Sequence, residues 1–446
     1  MVSQHYPAHV SERQKKLEAA LAAAGFDGLV IQAGAPFTYF SDDQDAPFRP
    51  TPHFAHWTPL EGPSHLLHLQ VGKKPRLARV APEDYWYEQA PLGNPYWASQ
   101  FDMVEVPDVE RAWRELPIRG RTAYVGDRPE EAGAHGILRD AQNPSALTAR
   151  LDWDRAVKTA YEVDCMAAAS ALGVRGHAAA SSAFREGASE LAIHQAYVEA
   201  IGCTDKDLPY ESIVGLDEKG AILHYCGKRK TGSGRVLLID VGAQVNRYAS
   251  DITRTWTTDK ADAAFRDLVA GMEKLQLELC GLVKPGIAYL DLHAAAHQKI
   301  GDLLHKVGVL KIGGKDAIAR GVTSPFFPHG LGHFLGIQVH DVGGRQKSPE
   351  GGTVPPPPEF PYLRTTRKVE VGQVFTIEPG LYFIEMLLRP HRTGATKDLF
   401  DWKLVDRLSS HGGIRIEDNV LVTKDGHRNL TREATASSGL PRAVPG

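Results

Sequence analysis

The chain has 446 residues, which at roughly 100–200 residues per domain makes two or three domains with mass to spare for a large core. Lys and Arg number 51 against 54 Asp and Glu, a net charge of −3, so no general field draws the chain to nucleic acid or an anionic membrane, and neither is expected as a partner. A content of 42% hydrophobic and 24% charged residues excludes a disordered chain.

Ser11 with Gln14 reads as a capping box, Leu17, Ala20, Leu21 and Ala24 recur at helical spacing, and Gly25 supplies a stop, so a helix of about three turns is expected first. Residues 1–25 lack the apolar stretch of a signal peptide, and no window approaches the roughly 18 apolar residues of a membrane span. Cys165, Cys203, Cys226 and Cys280 are scattered and form no C-x-x-C pair, as expected of reduced thiols in a cytoplasmic protein. Strand-like runs at Gly28–Gln32, 65–71, 77–81, 103–107 and 122–126, with helical patterns near 110–116 and 135–141, predict a compact α/β domain. Residues 41–63 and 82–101, rich in Pro and aromatics, read as long irregular loops.

The composition changes after Asn143, and Thr159 with Glu162 offers a second capping box ahead of an Ala-rich helix reaching about residue 184. The boundary is placed at about 155, giving domains 1–155 and 156–446. Ser189 opens and Gly202 closes a further helix, strands follow, residues 259–283 and 290–306 read as helices, and 431–446 as a frayed tail. The fold class is therefore α/β (α+β), with a smaller N-terminal α/β domain.

The chemistry gathers in the second domain. Val236-Leu-Leu-Ile-Asp240 looks like a buried strand with an acid at its tip. If the chain reverses at Val245–Asn246, Asp251 becomes the cross-strand partner of Asp240 and both carboxylates face one point. Two solvated acids on an ordinary hairpin explain the spacing equally well. Between His329 and His340 stand three histidines, His329, His333 and His340, with Gly330, Gly332 and Gly336 arguing against a regular helix. Glu378 and Glu417 each lie in apolar sequence, where a carboxylate costs several kcal/mol unless a counter-charge or a metal meets it. Arg415 is the available counter-charge for Glu417, but it cannot serve all four acids. Two divalent cations would neutralise the about four negative charges while one histidine fills a remaining position. Oxygen-rich ligation without thiolate points to Mn²⁺, with Co²⁺ or Zn²⁺ as alternatives.

The motifs Ile239-Asp240-Val-Gly-Ala, Ser250-Asp251-Ile-Thr-Arg-Thr, His329-Gly-Leu-Gly-His333-Phe-Leu-Gly-Ile-Gln-Val-His340-Asp-Val-Gly, Ile377-Glu378-Pro-Gly and Gly413-Ile-Arg-Ile-Glu417-Asp-Asn resemble, in content and order, those of the pita-bread metallopeptidases. The likeness is strongest to the prolidases (Xaa-Pro dipeptidases), including the bacterial branch related to organophosphorus acid anhydrolases. Tyr39-Phe-Ser-Asp-Asp43 and Asp84-Tyr-Trp-Tyr extend the resemblance into the first domain. It implies a creatinase-like N-terminal domain followed by a pita-bread catalytic domain, a homodimer, and a site for two cations held by Asp240, Asp251, His333, Glu378 and Glu417. It further implies Xaa-Pro dipeptides as substrates, a hydroxide shared by the metals as nucleophile, Glu378 as proton shuttle, and His340 and His329 as groups beside the metals. Arg364 matches the arginine that grips the proline carboxylate, which would limit substrates to dipeptides. Tyr210, His224 and Arg415 line the pocket, and Asp43 reaches toward the site of the second subunit. Three rivals are an aminopeptidase P accepting longer peptides, a non-catalytic pita-bread binding module, and a creatinase-like hydrolase working without metals. Hydrolysis of organophosphorus esters is expected as a side activity.

Overall fold

The computed structural model describes residues 2–88 and 91–438. It divides into two compact units: one takes Met1–Arg155, Thr159–Asp164 and Gln346–Gly352, the other Ala156–Lys158, Cys165–Arg345 and Thr353–Gly446.

In the first unit α1 (Tyr6–Ala24) runs 19 residues and ends at Gly25, whose φ of 73° is left-handed. The helix starts before Ser11 because Pro7 sits in its first turn, where a missing N–H costs nothing. Ser11 is therefore interior and caps nothing, which corrects the expected start. There follow β1 (Gly28–Gln32), α2 (Pro52–Ala55), β2 (Leu66–Gln70), β3 (Arg76–Val80), β4 (Asp102–Val106), α3 (Val109–Arg114), β5 (Thr122–Val125), α4 (Pro129–Ala134) and α5 (Ser145–Arg155). The strands form one sheet in the order β4-β3-β2-β1-β5, with β1–β5 and β3–β4 parallel and the other pairs antiparallel. The helix expected over 135–141 lies earlier, at α4, where Pro129, Glu130 and Glu131 suit a first turn. Residues 139–141 make only a 3-10 turn. The loop 41–63 holds the short helix α2, and in 82–101 a 3-10 turn covers Ala98–Gln100.

The helix α6 (Ala160–Arg185) begins with reciprocal capping bonds. Thr159 N–H donates to Glu162 Oε2 at 2.8 Å, and Glu162 N–H donates to Thr159 Oγ1 at 3.4 Å. The chain continues through α7 (Glu190–Ile201), β6 (Ile213–Leu216), β7 (Val236–Asp240), β8 (Gln244–Val245), β9 (Tyr248–Ala249), β10 (Thr253–Thr257), α8 (Ala263–Gly281), α9 (Tyr289–Val307) and α10 (Gly314–Ala319). After the hairpin β11 (Gln346–Ser348) and β12 (Gly351–Thr353) come β13 (Val374–Ile377), β14 (Gly380–Tyr382), α11 (Glu385–Thr393), α12 (Trp402–Ser409), β15 (Gly413–Arg415), β16 (Asp418–Thr423), β17 (Gly426–Asn429) and α13 (Leu430–Ser438). The tail expected to fray from 431 is thus helical to 438, and 439–446 lie outside the described residues.

The second unit is built on small antiparallel sheets, β10-β7-β6, β13-β16-β17 and β14-β15. One apolar cluster joins them to the helices: Leu237 and Ile239 of β7, Phe375 and Ile377 of β13, Val420 and Val422 of β16, Phe265, Leu268 and Met272 of α8, and Leu292 and Ile300 of α9. Strands filled with apolar residues on both faces read as unbroken hydrophobic runs, and their tips are where polar side chains emerge. Among the described residues no helix is long and apolar enough to cross a membrane.

Candidate metal centre

Asp240 ends β7, and β10 pairs with that strand so that Asp240 faces Thr253 rather than Asp251. The reason is the turn. Val245 pairs with Tyr248, which leaves Asn246 and Arg247 as a two-residue connection, both at positive φ (49° and 72°), as a type I′ turn demands. The reversal therefore falls one residue later than the expected Val245–Asn246, and the register moves by two. A shift of two preserves the face, so the two acids still converge: Tyr210 Oη lies 2.8 Å from Asp240 Oδ1 and 2.6 Å from Asp251 Oδ1.

The other donors arrive from three further segments. His333 sits in a stretch without regular structure. Its Nδ1 lies 3.0 Å from the Phe334 carbonyl, a bond that assigns a proton to Nδ1 and makes Nε2, which Asp251 and Glu378 keep protonated without an ion, the nitrogen that would ligate one. Nε2 is 3.3 Å from Asp251 Oδ2 and 3.5 Å from Glu378 Oε1. Glu378 follows β13 and accepts a bond from Thr376 Oγ1 at 3.3 Å. Glu417 stands between β15 and β16, and Thr253 Oγ1 donates to its Oε2 at 2.7 Å. Asp251, His333 and Glu417 each offer one ligand atom within 4.8 Å of the others. Asp240 and Glu378 adjoin that trio through the contacts just given.

Four carboxylates are thus packed together, with Glu417 2% and Asp251 5% exposed, and among the described residues Arg415 is the one arginine or lysine paired with their side chains. Arg415 does not pair with Glu417, as its spacing had suggested. Its Nη2 donates to Asp240 Oδ2 at 2.6 Å, its Nη1 to Tyr382 Oη at 2.7 Å and its Nε to Thr253 Oγ1 at 3.2 Å. The guanidinium is thereby tied to the ligand set while it also lines the cavity. The imbalance shows in the acids. Burial, together with Asp251, Glu378 and Asp240, pushes Glu417 well above the usual carboxylate range. Burial likewise lifts Glu378 to about 7 against the pull of His333 and Arg415. Asp240 is also raised, by burial first, whereas Asp251 is lowered because bonds from His333 and Tyr210 outweigh its burial. Buried acids that cannot all ionise unaided are what a cation site requires, and hard oxygen donors with one imidazole fit divalent ions. The residues present fit a metal centre.

The remaining expected residues line one cavity of about 830 Å³, which includes His224, His329, His340, Arg364 and Arg415 together with all five donors. His340 packs edge-on against His333, centroids 4.4 Å apart at 86°. Burial, His333 and Arg364 lower it to about 4, which keeps it neutral. His329 is engaged at both nitrogens: Tyr382 Oη lies 2.9 Å from Nε2 and the Gly330 carbonyl 2.8 Å from Nδ1. It therefore belongs to a chain from Arg415 through Tyr382, and burial and Arg415 lower it to about 3. Asp43 lies in the first unit, on an exposed loop, with its N–H bonded to Asp42 Oδ1 at 2.7 Å.

Residues not singled out from sequence are Thr253 and Thr376, whose hydroxyls orient Glu417 and Glu378, and Tyr382, whose hydroxyl joins Arg415 to His329. Thr253 and Thr376 each stand two positions from an acid of the cluster, Asp251 and Glu378, so strand periodicity could have found them.

The raised acids set a pH dependence. A carboxyl whose folded pKa exceeds its unfolded value binds its proton better when folded, so its contribution is complete below about 4.5 and is lost as pH rises through the folded value. For Glu378 that window runs from about 4.5 to about 7. Asp251 works in the opposite sense, but below its ordinary value, outside this window. Metal-stripped protein is expected to melt several degrees lower at pH 7 than at pH 5. Addition of a divalent cation should restore the loss, as read by thermal melts across pH with and without chelator.

Two family profiles match the chain, the Xaa-Pro dipeptidase N-terminal domain over residues 4–153 and metallopeptidase family M24 over residues 164–424. The chain is 42% identical over 434 residues to an Xaa-Pro dipeptidase of Pseudoalteromonas atlantica, covering 96% of this chain and 98% of that one. With an Xaa-Pro dipeptidase of Shewanella loihica the identity is 41% over 432 residues, 96% and 97% of the two chains. Among solved structures the fold is similar to an Escherichia coli aminopeptidase P variant in complex with substrate, at TM-score 0.72 and 23% identity over 96% and 95% of the chains. It is also similar to proline aminopeptidase P II of Yersinia pestis, at TM-score 0.71 and 23% identity over 99% and 100%.

Proposed function

The chain belongs to metallopeptidase family M24, and on that premise we propose that it hydrolyses Xaa-Pro dipeptides bearing a free proline carboxylate. The observation that carries this is the packing of Asp251, His333 and Glu417 around one buried spot, with Asp240 and Glu378 lining the same cavity and Arg415 bonded to Asp240. Asp240, Asp251, His333, Glu378 and Glu417 would hold two divalent cations, with Mn²⁺ favoured over Co²⁺ or Zn²⁺ by the oxygen-rich donor set. Such ions supply Lewis acidity, which activates water near neutral pH and polarises the scissile carbonyl.

The chain's own residues do the rest. Glu378, in the cavity beside the other donors, is placed to take a proton and pass it to the departing proline nitrogen, which leaves poorly as an anion. His340, neutral and facing the cavity, donates to the oxygen that gains charge. Arg364 lines the same cavity, and a guanidinium grips a carboxylate through two parallel bonds. His224 lines the same cavity and borders the space for the first residue, while Tyr210 joins Asp240 to Asp251. His329 acts through Tyr382 and Arg415, keeping Asp240 in place.

Phe40, Tyr85 and Trp86 stand 98%, 88% and 76% exposed, the kind of apolar surface that association covers. They support a homodimer in which Asp43 approaches the site of a second copy. The scattered spacing of Cys165, Cys203, Cys226 and Cys280 suits a reducing cytoplasm.

The fold likeness to aminopeptidase P keeps longer peptides in contention, and one experiment separates the readings. Purified protein is analysed for metal, then assayed on Leu-Pro, Ala-Pro and Ala-Pro-Ala before and after chelation. Metal-dependent cleavage confined to the dipeptides is expected, and equal cleavage of Ala-Pro-Ala would favour the aminopeptidase reading. The binding-module rival predicts no cleavage. A fluorophosphonate added to the manganese-loaded sample reads the side activity on organophosphorus esters.

A further inference from the structure

We infer that Lys158 is a positioning residue for His340, acting through a buried ion pair with Asp341. Lys158 Nζ lies 2.8 Å from Asp341 Oδ2, and both side chains are 1% exposed. The inference rests on the reading of His340 as the oxyanion donor.

Asp341 closes a loop. Its N–H donates to the Phe334 carbonyl at 2.8 Å, so residues 334–341 fold back on themselves and bring His340, the last residue before the closure, against His333, the residue before its start. Inside the loop Gly336 N–H donates to the Gln338 carbonyl at 3.1 Å, and the Gly336 carbonyl accepts from Ala249 N–H at 2.9 Å. The loop is fastened to β13 through Leu335 N–H to Val374 O at 3.0 Å and Thr376 N–H to His333 O at 3.0 Å. Lys158 is fastened to the entrance of the same strand: its N–H donates to the Gly372 carbonyl at 2.8 Å, and Val157 bridges Gln373. The ion pair therefore ties the end of the loop that carries His340 to the strand that delivers Glu378.

The imidazole of His340 has no hydrogen bond among the described residues, so its position depends on the backbone at 341. Asp341 is held from both sides, by Lys158 at one oxygen and by Val342 N–H at the other, 2.9 Å. Space for the pair is reserved by Gly336, where a Cβ would strike Asp341 Oδ2 and come within 2.9 Å of Lys158 Nζ. A buried ion pair gains little stability over apolar residues of similar size, because desolvation offsets the attraction. Its use here is to select one arrangement of the loop.

The test separates that use from stability. In Lys158→Met/Asp341→Leu the charges go and the volume stays, so the melting temperature and metal content should remain near wild type. The expected result is a kcat for Leu-Pro about 10- to 100-fold lower, the scale of a small misplacement of a reacting group, with KM within about twofold. Lys158→Arg should keep most of kcat. In zinc-loaded, ¹³C-histidine-labelled protein the His340 resonance, identified with His340→Gln, should shift or broaden in the double variant while that of His297 does not. A double variant with wild-type kcat and an unmoved His340 resonance would overturn the inference. A His340→Gln enzyme of normal kcat would instead remove the oxyanion reading, and the resonance alone would then decide the positioning.

Discussion

Glu417→Gln is expected to lower kcat/KM for Leu-Pro by on the order of 10³-fold or more and to release bound divalent metal, the largest effect of any single change in the chain. The substitution keeps the shape of the side chain and removes one negative charge from a cluster in which Thr253 already donates to Glu417 itself and Arg415 is committed to Asp240. An amide oxygen is a poorer ligand for a hard cation than a carboxylate, and its NH₂ group would face Asp251, His333 or their ligand. The variant should fold, because burial already pushes Glu417 toward its neutral form without metal. Metal analysis, steady-state kinetics and a thermal melt in chelator together check this. A variant that kept both ions and activity would remove Glu417 from the ligand set.

Arg364→Ala is expected to cut kcat/KM for Xaa-Pro dipeptides about 10²-fold while changing Ala-Pro-Ala cleavage little, so that the preference for dipeptides collapses. A hydrogen bond to a charged group contributes about 1.5–3 kcal/mol, the range that sets this figure. Arg364 is exposed to the cavity and lies away from the acid cluster's bonds, so metal content should not change. If the loss were equal for dipeptide and tripeptide, Arg364 would be a general surface charge and the carboxylate grip would fall.

Much of this arrangement was legible in the sequence because each acid sits at a recognisable place in a strand. Asp240 at the tip of an apolar run and Glu378 at the end of Val374-Phe-Thr-Ile are read from unbroken apolar runs that end in an acid. The register between Asp240 and Asp251 was not, because Asn-Arg is an uncommon pair for a type I′ turn and gave no signal at residues 246 and 247. The destination of Arg415 was also hidden. Proximity in sequence favoured Glu417, whereas the fold carries the guanidinium across to Asp240 on another strand, a long-range contact that no local pattern encodes. In the first unit α1 was recognised but misbounded, since a serine followed three residues later by glutamine imitates a cap when Pro7 already marks an earlier start.

The donors enter from residue 240 through residue 417, on segments brought together by the tertiary fold. Only Asp240 and Asp251 share one hairpin, and the other three donors come from distant segments, so the unfolded chain competes poorly for the ion. Cation capture and tertiary closure become one linked equilibrium: the ion acts as a staple set late, and its scarcity in the cell would be felt first as a loosening of the catalytic half of the molecule.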